Sequence, residues 1–447
     1  MIAQSAPPAS TLADATTASM PLAVRLFDEL RRLTADGVGV TRDSYGAGEQ
    51  LAHDLFEEAA RSLDLETRKD PAGNLYMTLP GKERSLPAWF VGSHLDSVLH
   101  GGNYDGAAGV VAGLTALDAL RRAGARPLRD ITVMGIRAEE CSTWFVGHHG
   151  GHLGSRAVLG LLWPGELDSA VHVRSGKTLA QCMDEAGFDS TCFRGNSGPY
   201  LKPERIAGYL ELHIEQGPVL EHRGYPVGIV TGIRGALRGR SARTTGGYTH
   251  SGAVPHELRQ DAVLASAELV NTLDTVWTRM RAANRDMVYT VGKFFTDPEH
   301  HSIVKVPGEV NFAFDIRSQD IGVLDEMRGV VTKLAEEIGA RRNVHIDLGE
   351  MSLVRPAEMD AAIRTHMKTG CVELSIPYMD IPSGAGHDAA DFHDAGIPAA
   401  MIFIRNANGS HNPDEAMEMD DFALGTRLLT WTLATADRIE PASAPAH

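Results

Sequence analysis

Histidine and carboxylate residues occur together in two segments of the first third of the chain. His94 and Asp96 are two residues apart, so in an extended segment they share one face. A carboxylate so placed can hold the second ring nitrogen of a metal-bound histidine. Asp105 follows in a glycine-lined turn that leaves room for an ion, and Glu139 with Glu140 follows an apolar strand. Adjacent carboxylates repel each other and therefore need a cation or a shared proton.

Three further segments carry such residues in the second half. Alternation along Glu211-Leu-His-Ile-Glu places Glu211, His213 and Glu215 on one face of a strand-like run. Ser383-Gly-Ala-Gly is a glycine-rich loop whose N–H groups could bind an anion beside His387. His411 lies on a loop after an apolar strand. These segments widen the set of residues that could perform chemistry.

Each segment taken alone also fits a structural role. His94 is then an ordinary histidine at a strand end, Asp105 is a helix cap, and His411 is solvated. Together, however, three histidines and two carboxylates lie near predicted strand ends. Imidazole with carboxylate is a typical ligand set for zinc-class ions. Five such groups with one bridging carboxylate suit two ions about 3.5–4 Å apart that share a water molecule.

The elements around these segments predict an α/β fold. Between residues 22 and 136, stretches with apolar residues at helical spacing alternate with short apolar strands. Strands separated by helices favour a mostly parallel sheet flanked by helices, in which active sites lie at the carboxyl ends of strands. The polar clusters described above lie at such ends.

The pattern changes near Gly232. A loop rich in Gly, Arg, Ser and Thr is predicted there, before a helix over 257–285 and further strands and a helix that end at residue 348. We therefore predict a discontinuous domain over 21–232 and 349–447, with an inserted α+β domain over 233–348. Residues 1–20 are rich in Ala, Ser, Thr and Pro, and we predict a mobile N-terminal tail.

Bulk composition excludes several classes of function. Among 447 residues, 42 Lys and Arg face 58 Asp and Glu, so the formal charge is −16. Such a charge argues against nucleic-acid and anionic membrane partners. The N-terminus lacks the features of a secretory signal, and no apolar run approaches the roughly 20 residues that span a bilayer. The four cysteines form no CxxC pair, which indicates a reducing, cytoplasmic location.

The sequence resembles the M20-type metallohydrolases, in the branch of N-carbamoyl-L-amino-acid hydrolases, allantoate amidohydrolases and β-ureidopropionases. The matching segments run from about residue 90 to residue 413. They are GSHLDSV, GGNYDGAAG, RAEE, ELHIEQGPVLE, GIVTGIRG, YTHSGAVPHELRQDA, PGEVNFAFDIR, SGAGHDA and GSHNP. Two of them, ELHIEQGPVLE and SGAGHDA, are specific to this branch.

The resemblance implies two divalent metal ions per subunit, either Zn or one of Mn, Co and Ni. His94 and His213 would be terminal ligands of one ion, and Glu140 with His411 of the other. Asp105 would bridge the two ions. These five residues are therefore the expected metal ligands.

The resemblance also implies roles in catalysis and substrate binding. Glu139 would be the general base, Asp96 would orient His94, and His250 would stabilise the oxyanion across a dimer interface. Arg317 would grip a substrate carboxylate. The other expected substrate-binding residues are Gln216, Gly384 and His387. The inserted domain would act as a lid and as the dimerisation surface of a homodimer.

The implied activity is hydrolysis of a linear amide, most simply a carbamoyl or ureido group on a small carboxylate substrate. Val304 departs from the family pattern, which has Asn there, and this favours an alternative amidase or aminoacylase acting on another N-acyl acid. Cys141 replaces a Gly, and the segment with His148, His149 and His152 is unusually rich in histidine. A non-catalytic binding protein and a metallopeptidase are further alternatives, which the complete ligand set and the branch-specific segments disfavour.

Overall fold

The computed structural model describes residues 6–147, 150–194 and 198–439. The chain forms two compact units, one made of Met1–Thr231 with Met359–His447 and the other of Gly232–Glu358. The predicted boundary at residue 348 differs from the observed one because Met351–Val354 pairs with a strand of the second unit. His148 and His149 lie outside the described residues.

Helices and strands follow one another along both units. The α-helices are α1 (Ala9–Thr34), α2 (Ala47–Ser62), α3 (Ala107–Arg122), α4 (Cys141–Trp144), α5 (Leu153–Leu159), α6 (Glu166–Ser169), α7 (Leu179–Glu185), α8 (Val219–Arg223), α9 (Ala262–Ala282), α10 (Ile321–Arg342), α11 (Ala361–Glu373), α12 (Asp388–Asp394) and α13 (Met419–Thr435). The strands are β1 (Glu66–Lys69), β2 (Leu75–Leu79), β3 (Ala88–His94), β4 (Ile131–Ile136), β5 (Phe145–Val146), β6 (Val171–His172), β7 (Ile206–Ile214), β8 (Val227–Ile233), β9 (Gly235–Thr245), β10 (Thr249–His250), β11 (Val288–Phe295), β12 (Lys305–Val306), β13 (Glu309–Ser318), β14 (His345–Asp347), β15 (Met351–Val354), β16 (Ala357–Glu358), β17 (Tyr378–Ser383) and β18 (Ala399–Ile404).

A nine-stranded sheet has the order β1-β2-β4-β3-β7-β18-β8-β16, and β17 also pairs with β8. Its four central strands, β4, β3, β7 and β18, are parallel, whereas the β1, β2, β8 and β16 pairings are antiparallel. Helices α3, α12 and α13 pack against the central strands. The predicted α/β class with a largely parallel central sheet is confirmed. Because parallel strands end at the same edge, the segments after β3, β4, β7 and β18 lie side by side.

The N-terminal segment is a helix rather than a mobile tail. Helix α1 begins at Ala9 and packs against α3 and α13. Leu12 is fully buried, and the Thr16 hydroxyl donates to the Leu12 carbonyl and lies 3.3 Å from the Thr430 hydroxyl. The prediction of a tail over 1–20 is therefore wrong from residue 9 onward. Small residues such as Ala15 and Ser19 carry the buried face here, so the hydrophobic signal is weak.

The second unit is an α+β domain of its own. Its antiparallel sheet has the order β11-β13-β9-β14, with β15 also paired to β9, and α9 and α10 pack on it. The loop predicted after Gly232 is instead the central strand β9, which pairs with β13, β14 and β15. Among the described residues, no helix is long and apolar enough to cross a membrane.

Candidate functional site

The first cluster of candidate ligands lies where β3 and β7 end. His94 is the last residue of β3, His213 lies near the end of β7, and Asp105 comes just before α3. Each offers one nitrogen or oxygen, and these three atoms lie within 4.8 Å of one another. Nε2 of His213 is 3.2 Å and Nε2 of His94 is 3.5 Å from Oδ1 of Asp105. This spacing suits three ligands of one zinc-class ion, whose bonds are about 2.0–2.2 Å long.

Backbone contacts fix which ring nitrogen faces the cluster. Nδ1 of His213 lies 2.9 Å from the Ile214 carbonyl, and Nδ1 of His94 lies 3.1 Å from the Asp96 carbonyl. A carbonyl oxygen only accepts, so Nδ1 donates in both rings. Nε2 of a neutral ring then carries a lone pair, and in His213 it accepts from the N–H of Gly106. Nε2 of each ring is therefore the nitrogen that faces Asp105 and the rest of the cluster.

The second cluster shares Asp105 with the first. Asp105, Glu140 and His411 also bring one ligand atom each within 4.8 Å of the others. Nε2 of His411 lies 2.8 Å from Oε1 of Glu140 and 3.4 Å from Oδ2 of Asp105. The two oxygens of Asp105 therefore face different clusters, as a bridging carboxylate requires.

The electrostatics of both clusters fit cations. Asp105 is buried, and its Oδ1 has no hydrogen-bond partner among the described residues. Burial raises the pKa of Glu140, and the nearby charges of Glu139 and Asp105 reinforce that effect. Burial alone would lower the pKa of His94, but Glu139 and Asp105 raise it well above its usual value. Carboxylate oxygens and ring nitrogens that face each other in this way need a proton or a cation between them. Imidazole nitrogens and carboxylate oxygens are also the atoms that coordinate divalent ions of the zinc class.

Asp96 organises the loop that carries Glu139 and Glu140. Its two carboxylate oxygens accept from the backbone N–H of Glu139 and of Glu140, each at 3.1 Å, and from the Ser44 hydroxyl at 2.5 Å. Nδ1 of His94 is 3.4 Å from Oδ1 of Asp96, farther than the 3.1 Å to the Asp96 carbonyl oxygen. Asp96 therefore positions the Glu pair more directly than it orients His94.

The Glu139 side chain lies beside the first cluster. Its Oε2 is 3.8 Å from Nε2 of His94, and its Oε1 is 3.1 Å from Nε2 of His152. Burial would raise the pKa of Glu139, but the positive charges of His94 and His152 outweigh it and lower the pKa. The carboxylate is thus held ionised, in the form that can accept a proton.

Three predicted substrate-side residues also lie in this unit. Nε2 of Gln216 donates to Oδ2 of Asp105 at 2.8 Å, and Gln216 itself has a left-handed backbone with φ 62°. The His387 ring packs edge-on against His213 at 4.6 Å, and its Nε2 lies 2.9 Å from the Ser383 hydroxyl. Gly384 is exposed in the turn between β17 and α12. Glu215, in contrast, accepts from the N–H groups of Val219 and Leu220 at the start of α8.

Three residues singled out in the sequence belong to the second unit. His250 lies on the exposed ribbon β10–β12, where it pairs with Lys305. The Val304 carbonyl accepts from the N–H of Ser251, so Val304 lies beside His250 in that ribbon. Nε and Nη2 of Arg317 donate to Oδ2 of Asp315 at 3.1 and 2.8 Å. Their roles stay predictions.

Several buried partners were not assigned from the sequence. Glu415 accepts from the N–H groups of Tyr104 and Asp105, and the Ser410 hydroxyl lies 2.6 Å from Glu415 and 2.5 Å from Asp105. The Arg42 guanidinium is fully buried and donates to the Asp105 carbonyl at 3.3 Å. The only sequence signal for them is proximity to His411 in the case of Ser410 and Glu415. Cys141 is buried beside Glu140.

Comparison with known proteins places the chain in a family. Residues 78–435 match the peptidase family M20/M25/M40. An N-carbamoyl-L-amino acid amidohydrolase of Geobacillus stearothermophilus is 33% identical over 421 residues, covering 92% of this chain and 99% of that protein. An allantoate amidohydrolase of Escherichia coli K12 is 31% identical, covering 88% and 92%.

Solved structures agree with this result. The crystal structure of an amidase of the hydantoinase/carbamoylase family from Burkholderia multivorans superposes with a TM-score of 0.82 at 26% identity, covering 94% of this chain and 98% of that one. The resemblance drawn from the sequence motifs is confirmed. The chain belongs to peptidase family M20/M25/M40, and within it to the branch that contains the N-carbamoyl-L-amino-acid and allantoate amidohydrolases.

Proposed function

We propose that this protein is a two-metal amidohydrolase that cleaves a carbamoyl or ureido C–N bond of a small carboxylate substrate, of the N-carbamoyl-L-amino-acid type. The observation that supports this best is the meeting of two ligand clusters at Asp105, with Glu139 beside them. The named relatives hydrolyse carbamoyl and ureido compounds, which supports the same reaction class.

The proposed ions are zinc, or manganese, cobalt or nickel. His94 and His213 would hold one ion, Glu140 and His411 the other, and Asp105 both. Two ions in these positions would polarise the substrate carbonyl and acidify an attacking water. Glu139 would take the proton from that water and pass it to the leaving nitrogen. Asp96 keeps the Glu139 loop in place for this transfer.

The second unit would supply residues that bind the substrate and the oxyanion. Arg317 would bind the substrate carboxylate, because its planar fork matches two oxygens. His250 would stabilise the oxyanion from the partner subunit of a homodimer, with the inserted unit as lid and dimerisation surface. In the first unit, Gln216, Gly384 and His387 would contact the substrate.

The protein would be cytoplasmic. All four cysteines are free thiols, which supports this location.

A second candidate function is an amidase or aminoacylase that acts on another N-acyl acid. Val304 favours it, since this apolar residue, 54% exposed and next to the ribbon partner of His250, stands where the family resemblance implies Asn. Valine cannot donate a hydrogen bond to a ureido group. The metal clusters and Glu139 would act identically in both cases, so only the substrate distinguishes the two.

The test is product release from metal-reconstituted protein, with and without a chelator. The substrates are N-carbamoyl-L-amino acids, ureidopropionate and allantoate, with matched N-formyl and N-acetyl acids. We expect chelator-sensitive ammonia release from ureido compounds. Cleavage of the acyl acids alone would move the protein to the second candidate, and chelator-insensitive turnover would contradict the metal mechanism.

A paired variant tests the base. Glu139→Gln keeps the side-chain shape but cannot accept the proton, so we expect loss of turnover with metal content unchanged. The exposed Glu350→Gln variant is the matched control. Turnover retained in Glu139→Gln would refute the base role.

A further inference from the structure

His152 lies between two carboxylates at the start of α5. Its Nε2 is 3.1 Å from Oε1 of Glu139, and its Nδ1 is 3.0 Å from Oδ2 of Asp391. Carboxylate oxygens accept hydrogen bonds, so both ring nitrogens donate and the ring is an imidazolium. Burial alone would lower the pKa of His152, but Asp391 and Glu139 raise it well above its usual value. The ring therefore links the two side chains through charge-assisted hydrogen bonds.

The backbone holds this ring against Glu139. The N–H groups of His152, Leu153 and Gly154 donate to the carbonyls of Glu139, Ala138 and Arg137. His152 and Ala138 both have left-handed backbones, with φ 58° and 55°. Non-glycine residues rarely adopt this conformation, and it is enriched at functional sites.

The far side of the ring is fixed as well. Oδ2 of Asp391 also lies 2.8 Å from the buried Ser155 hydroxyl, one turn into α5. Gly386 leaves the space that the ring fills, since a Cβ atom there would come within 2.8 Å of Nε2 of His152. Asp391, Ser155 and the loop at Gly386 thus define one position for the imidazole.

We propose that His152 is a positioning residue that holds Oε1 of Glu139 so that Oε2 faces the metal ligands, with Asp391 fixing the ring in turn. Oε2 is the oxygen that lies near His94. A carboxylate held through one oxygen cannot rotate away from the attacking water, so its second oxygen stays aligned for proton transfer. This inference rests on the base role proposed for Glu139.

His152→Gly tests the proposal directly. Glycine adopts φ 58° without strain and leaves a cavity of the size of the ring. We expect kcat on the best-cleaved substrate to fall about 10–100-fold, with KM and metal content unchanged. Added imidazole should restore part of the lost kcat, which a purely structural defect would not allow. His100→Gly is the matched control, because His100 also has a left-handed backbone (φ 53°) and pairs with one carboxylate, Asp36.

Asp391→Asn supplies the second test and leaves the backbone of His152 unchanged. We expect a smaller loss of kcat, and a double variant with His152→Gly no slower than His152→Gly alone, because the two residues act in series. Unchanged kcat in either single variant, while Glu139→Gln is inactive, would overturn the inference. If His152→Gly does not fold, the kcat of Asp391→Asn alone tests the proposal. Activity in Glu139→Gln would instead refute the proposed base.

Discussion

Nε2 of His411 lies 2.8 Å from Oε1 of Glu140, although a metal ion would need the lone pair of that nitrogen. Asp105 and Glu140 raise the pKa of His411 to about 11, because both favour its charged form. In the metal-free protein the ring therefore keeps its proton at neutral pH. An ion bound at Nε2 must displace this proton, so we expect proton release on binding and weaker affinity as the pH falls.

Calorimetric metal titration in buffers of different ionisation enthalpy measures this release. We expect about one or more protons per ion bound at pH 7, and fewer in a His411→Gln variant. Affinity that is independent of pH between 6 and 9, with no proton released, would show that His411 is not a ligand.

Replacement of Asp96 should weaken the site without removing a ligand. Asp96→Asn replaces one accepting oxygen by an NH₂ group, which cannot accept from the N–H of Glu139 or Glu140. We expect metal affinity or kcat to fall about 10–100-fold, which is the usual effect of losing a residue that holds metal-binding side chains in place through hydrogen bonds. Ser44→Ala removes only one hydrogen bond to the same carboxylate and should have a smaller effect. Equal, near-normal values in both variants would remove the organising role of Asp96.

The clustering of the candidate ligands could be predicted because their positions follow from local rules. His94 ends a strand, Glu140 follows another, and parallel strands end at one edge of the sheet. The contact between His152 and Asp391 could not be predicted in this way. These two residues are 239 positions apart, and neither lies in a periodic pattern or in one of the motif segments quoted from the sequence. Long-range pairs of this kind become visible only when the helices are packed.

Two of the wrong predictions, the tail over 1–20 and the loop after Gly232, have a common physical cause. The buried face of α1 includes Ala15, Thr16 and Ser19, whose small size allows close helix packing but gives little hydrophobic signal. In β9, Arg238 and Arg243 pair with Asp315 and Glu309 on β13, so charged residues occupy the centre of the sheet. In both elements, tertiary contacts decide the structure against weak local composition.

Arg317 should govern recognition of the substrate carboxylate. Its guanidinium already donates to Asp315, which would hold the fork in one orientation. We expect Arg317→Ala to raise KM for carboxylate substrates about 10–100-fold, since hydrogen bonds to charged groups are worth about 1.5–3 kcal/mol. The kcat value should change less. Arg240→Ala, an exposed arginine on β9, is the control, and equal KM values in the two variants would contradict the assignment.

Leu12 should contribute to stability as a core residue of the first unit. Its side chain is fully buried in the same apolar cluster as Leu429 of α13. We expect Leu12→Ala to lower the free energy of unfolding by about 2–5 kcal/mol, because it leaves a cavity between packed helices. The neighbouring Thr11→Ala changes an exposed side chain and should shift stability by less than about 0.5 kcal/mol. Urea denaturation of both variants measures the difference. If the two variants unfolded at the same urea concentration, Leu12 would contribute nothing to the packing of the fold. That result would fit a mobile tail and contradict the packed helix.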